Sequence, residues 1–158
     1  MLFGMEHSRF WLAGAAGLVL STLVFPSPLR GRDEPTVEEL KGRVANVAVA
    51  DRPPLCIHIS ELQLGDADRL YVAGDSQKAQ AALADVVAFS ELARDYAIQS
   101  RKHEKPSEIA IRKMARKLTD IKHTVSREDQ ESIQNTIERL ERIRDDLLAA
   151  MFSKGDKK

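Results

Sequence analysis

Apolar side chains return at steps of three and four along most of this chain, and helix start and stop signals bracket each run. Leu40, Val44 and Val47 form the first run. Thr36 ahead of it, with Glu39 three residues on, makes a capping box in which each side chain satisfies an exposed N–H of the first turn. The pattern predicts a helix over Val37 to Val49. Asp51-Arg52-Pro53-Pro54 starts the chain again, because proline in a first helical turn loses no intrahelical donor. Leu55, Ile59, Leu62 and Leu70 give a second stripe, interrupted by Asp66. Gly74 ends it, and Asp75 is placed to cap the next helix.

The third run is built from smaller residues. From Ser76 to about Arg101, the residues Ala79, Leu83, Val86, Val87, Ser90, Ala93 and Ala97 fall on one face, which lets a neighbouring helix come close. Pro106 marks the next boundary, since the residue before a proline is pushed away from helical space, and a fourth helix is expected from Pro106 or Ser107. Ile111, Met114, Leu118, Ile121 and Val125 then step by 3, 4, 3 and 4. Ser126 with Asp129 repeats the capping logic. Ile133, Ile137, Leu140, Ile143, Leu147 and Met151 carry a fifth helix, and residues 153–158 read as a polar tail.

Every stripe is apolar on one side only, so each helix must bury it against another, and short connections make consecutive helices antiparallel. The expected fold class is all-α: a small antiparallel bundle of four to five helices over residues 36–152. An extended coiled-coil hairpin from the last two helices is the alternative, and the seam of the fourth helix is short for one.

Ahead of the bundle stands a segment of another kind. Between Arg9 and Arg30 no side chain is charged, and Phe10 to Phe25 is apolar apart from Ser21 and Thr22. A short start, an apolar stretch and then Pro26 and Pro28 resemble a secretory signal. As a helix, residues 10–25 would span about 24 Å, against roughly 30 Å for a bilayer core. No small-x-small cleavage pattern succeeds the apolar run. Residues 1–28 are therefore expected to be a signal peptide or an uncleaved membrane anchor, with residues 29–35 a polar linker. Either version places the bundle outside the cytoplasm, in a periplasm or secreted.

Residues Ala67, Leu70, Gly74, Ala79 and Leu83 resemble the small and large packing positions of one tetratricopeptide hairpin. Gln63 and Asp66 stand where that repeat has an aromatic and a leucine, and no second copy occurs at a period of about 34 residues. No function is carried over from the likeness.

Charge adds one feature. The chain holds 24 basic and 24 acidic residues, which removes a global attraction for nucleic acid. Locally the balance tips: Arg101 to Arg127 contains nine Lys or Arg and three acids. Arg112, Lys113, Arg116, Lys117 and Lys122 lie away from the Met114–Leu118–Ile121 seam and form a candidate basic contact face. Such a face suits an anionic membrane surface, or acidic helices of this chain or of a second copy. The aromatic residues that nucleic-acid binders stack on bases are missing from it.

Catalytic signatures do not appear. There is no Gly-x-Ser-x-Gly, phosphate-cradling glycine loop, His-Glu-x-x-His or Cys-x-x-Cys. His58 and Glu61 share a helix face, but no Glu-x-x-His completes a bundle metal site, and His103 and His123 have no companion at ligand spacing. Cys56 is the one cysteine, which excludes an internal disulfide. It sits two residues from His58, a spacing that turns the pair to different helix faces. The sequence thus predicts an exported, non-enzymatic protein without cofactor or metal, working by contact with a protein partner or as a homo-oligomer. The alternative is an anchored protein whose basic helix, about residues 107–125, touches lipid headgroups.

Overall fold

The computed structural model describes residues 35–153. Among these, five α-helices and no strand occur: α1 Val37–Val44, α2 Arg52–Val72, α3 Ser76–Ser100, α4 Glu104–Lys122 and α5 Arg127–Phe152. The signal or anchor expected at 1–28, most of the linker and the end of the tail lie outside the described residues. No described helix is long and apolar enough to cross a membrane.

The sequence signals mostly sit where they act. Thr36 and Glu39 close the capping box of α1, Asp75 caps α3 through the Lys78 N–H, and Ser126 caps α5 through the Asp129 N–H. Gly74 at φ 78° takes the left-handed turn after α2, letting the Asp75 N–H reach back to Leu70 O at 2.9 Å.

α2 and α3 pair as one antiparallel hairpin and α4 and α5 as another. The hairpins lie side by side in the same sense, so that α3 runs parallel to α5. Ser76 meets Asp129, Glu91 meets Arg139 and Arg94 meets Asp146, partners that advance together along both helices. α2 borders α4, joined by Lys117 and Asp68, while α2 and α5 stand at opposite corners. The chain crosses from α3 to α4 through two left-handed residues, Arg101 (φ 57°) and His103 (φ 63°). α1 lies on the first hairpin. Its Lys41 Nζ reaches Asp85 Oδ2 at 3.1 Å and sits 5.5 Å from the Phe89 ring centre.

Three expectations are corrected. The first helix ends at Val44, not Val49. The Asn46 side-chain amide bonds Gly42 O, and the Arg52 guanidinium takes Val47 O and Ala45 O, so the last carbonyls are satisfied outside a helix. A single turn of tighter helix, Val49–Asp51, bridges to α2. In α2 the large residues Leu55, Leu62 and Leu70 are only partly buried, while Cys56, Ser60, Leu64 and Ala67 join Ile59 inside. The contact line belongs to small side chains there. Lastly, α4 starts at Glu104, two residues before Pro106, because the first-turn N–H that proline lacks has no intrahelical acceptor in any case.

The core runs through all five helices. Ile111, Met114, Leu118 and Ile121 of α4 and Ile133, Leu140, Ile143 and Leu147 of α5 are buried as their spacing requires, while Val125, Ile137 and Met151 of the same stripes are half-buried. So are all seven residues read as the face of α3. Between α2 and α3 the Ser60 hydroxyl reaches Cys56 O at 3.1 Å and Val86 O at 3.2 Å, and accepts from Ser90 Oγ at 3.3 Å. A side chain touching the neighbouring backbone in this way shows how closely the two helices approach.

Candidate functional site

The outer side of α4 carries the candidate face. Its inner side is fixed by the apolar seam, and Glu104 in its first turn and Lys122 in its last complement the helix dipole. The five predicted residues do not behave as one patch. Arg112 Nε lies 3.8 Å from Glu108 Oε1. Lys117 Nζ lies 2.7 Å from Asp68 Oδ2 on α2, and that hydrogen bond holds the Lys117 ammonium protonated above its ordinary range. Lys122 Nζ donates to Gln134 Oε1 on α5 at 2.8 Å. Lys113 and Arg116 are exposed and make no ion pair among the described residues.

Lys105 belongs with them, although the sequence pattern does not include it. It is exposed, and it stands seven residues before Arg112 on the same side of α4. A helix boundary at Pro106 leaves it outside. The face therefore presents Lys105, Lys113 and Arg116 outward, with Arg112 half-exposed beside them.

Beneath it lies a charge network. Glu108 is buried, 6% exposed, and accepts from Arg144 Nε of α5 at 2.8 Å. Arg144 also donates to Glu141 at 2.9 Å. These two carboxylates, Glu108 first, hold the Arg144 guanidinium charged above its ordinary range. A buried carboxylate needs such a partner, since an unpaired one would be protonated or would open the seam.

A second polar cluster lies at the end of the bundle where α3 and α5 begin. Asp129, 8% exposed, accepts at Oδ2 from the Ser76 and Ser126 hydroxyls, each at 2.8 Å. One carboxylate thus serves the positive ends of two parallel helices. Ser126–Asp129 is legible in the sequence as a cap, but Ser76 across the bundle is not. With Tyr71, these residues line a cleft of about 470 Å³.

Cys56 is fully buried, and burial pushes its thiol up to about 11, with Arg52 opposing weakly. A neutral, enclosed thiol is neither a nucleophile nor accessible for an interchain disulfide. His58 is half-buried and Glu61 exposed on the other side of α2. Among the described residues no group of three or more His, Cys, Asp or Glu is arranged to hold a metal ion. No family model matches the chain, and no curated protein or solved structure matches it.

Proposed function

We propose that this chain is an exported, non-enzymatic helical protein that works by protein–protein contact through the outer face of α4. The observation that carries the reading is the group Lys105, Lys113 and Arg116. They are exposed cations without ion-pair partners among the described residues, on a helix whose other side is locked into the core. A rigid helix presents such charges at fixed spacing, which gives specificity and rapid encounter with an acidic surface.

A lipid surface is the weaker occupant. An interfacial helix inserts its apolar side, and here Ile111, Met114, Leu118 and Ile121 are buried within the bundle, 0 to 3% exposed. Electrostatic attraction alone, at about 1 kcal/mol per cation, gives three residues on the order of 3 kcal/mol, short of even a millimolar complex.

The test is the combined variant Lys113→Glu and Arg116→Glu expressed in the native host and followed by size-exclusion chromatography of the extract. The wild type is expected in an assembly larger than one chain, and the variant at the size of one chain. Unchanged elution volume would overturn the reading. A reporter fused after Lys158 tests export: activity confined to the cytoplasm removes that part.

A further inference from the structure

We infer that the outer side of the α4–α5 hairpin is a self-association face, on which two copies of this chain meet about a two-fold axis running along the helices. The inference rests on the contact function proposed for α4 and names its partner as a second copy.

Two contacts set the height of one helix against the other. Arg144 reaches Glu108 and Lys122 reaches Gln134, each at 2.8 Å. In this antiparallel register Arg116 stands level with Glu138, and Arg112 within one residue of Glu141. Both acids lie on the α4 edge of α5. Gln134, held by Lys122, donates to Glu138 Oε1 at 3.0 Å, and Glu141 shares Arg144 with Glu108 of α4. Arg142, also near that level, turns instead to the α3 side, where it lines a groove with Glu91 and Arg94. Over this stretch the outer surface is therefore split, with Arg112 and Arg116 on α4 and Glu138 and Glu141 on α5.

A two-fold axis parallel to the helices exchanges α4 with α5 and leaves height unchanged. Arg116 then meets the partner's Glu138, and Arg112 meets the partner's Glu141. Symmetry makes each pair twice, which is the self-complementarity an isologous interface requires. An axis across the helices would set α4 on α4, cation against cation. Half-buried Ile109 and Leu148 add apolar surface to the same side. A net charge of zero leaves no overall repulsion between copies.

Sedimentation equilibrium of the full chain tests this at low ionic strength and again near 1 M salt, where screening length falls to about 3 Å. Expected is a concentration-dependent dimer at low salt that dissociates at high salt. Arg116→Glu or Glu138→Arg alone should raise the dissociation constant tenfold or more, and the two together should restore it. Arg43→Glu and Glu61→Arg make the same charge changes on α1 and α2, both at exposed positions, and should leave the dimer intact. A chain that stays monomeric at low salt, or a dimer indifferent to both reversals, overturns the inference. A monomer whose host assembly is still lost with Lys113→Glu and Arg116→Glu overturns this inference alone. A dimer that passes these tests beside a host assembly indifferent to that variant confines the failure to the proposed function.

Discussion

Along the α2–α3 contact the buried side chains include Cys56, Ser60 and Ala67 on one helix and Ala79, Ala82, Ala93 and Ala97 on the other. Along α4–α5 they are Ile111, Met114, Leu118 and Ile121 against Ile133, Leu140, Ile143 and Leu147. The first hairpin closes by bringing backbones together until a serine hydroxyl touches the opposite carbonyl. The second closes by filling the space between helices with branched side chains and sealing the rim with Glu108 and Arg144. The difference predicts opposite sensitivities: one seam should resist added volume, the other should resist lost volume.

The sharpest test removes volume from the second hairpin. Leu140→Ala or Leu118→Ala is expected to lower unfolding free energy by about 2–5 kcal/mol in urea titrations, since each site is fully buried. An alkaline titration probes the first hairpin next. Burial raises the Cys56 thiol to about 11 from an ordinary value of 9.0, so the unfolded chain loses its proton first. The stabilisation is complete below about pH 9 and falls away as pH climbs toward 11, by on the order of 2 kcal/mol. Cys56→Ala should lose that slope, and an unchanged slope would assign it to other groups.

Adding volume reverses the first test. Ala93→Leu is expected to cost about 1–3 kcal/mol, because the neighbouring helix has no room to retreat. A cost below about 0.5 kcal/mol would show that α2 and α3 are not in close contact. Ser60→Ala should cost about 1 kcal/mol, and the double variant with Ser90→Ala less than the sum of the singles, as expected for a shared hydroxyl pair. Smallest is the crossover between hairpins. Arg101→Gly should stabilise by a few tenths of a kcal/mol, because glycine takes φ 57° without the strain that a Cβ brings.

The same contrast governs how much can be read from the sequence. The α4–α5 seam is legible because its residues are large, aliphatic and regularly spaced. The face of α3 is legible because alanines at helical steps stand out among polar neighbours. In α2, however, Leu55, Leu62 and Leu70 point to the wrong stripe. Hydrophobicity ranks Leu55, Leu62 and Leu70 above Cys56, Ser60 and Ala67, but a close helix contact selects for smallness, and the leucines flank it half-exposed. The start of α4 is hidden for a different reason: proline forbids a helical interior but not a first turn, and a boundary placed there removes Lys105 from the face. The five predicted basic residues stand on the expected helix. Nothing in their spacing, though, tells that Lys117 is tied to Asp68, 49 positions earlier in the chain, and Lys122 to Gln134. Such pairings depend on which helix lies beside which, and that arrangement comes from the diagonal crossover at Arg101 and His103.

That crossover has a mechanical corollary. Because α3 and α5 run together, polar links bind the two hairpins at Ser76–Asp129, Glu91–Arg139 and Arg94–Asp146, from one end of the molecule toward the other. The far edge, between α2 and α4, is fastened among the described residues by the bridge of Asp68 and Lys117. The helical bundle of the described residues is bound like a book, with its spine at α3–α5. Thermal breathing should part the covers at α2–α4 first, with backbone amides there exchanging with solvent before those along the spine.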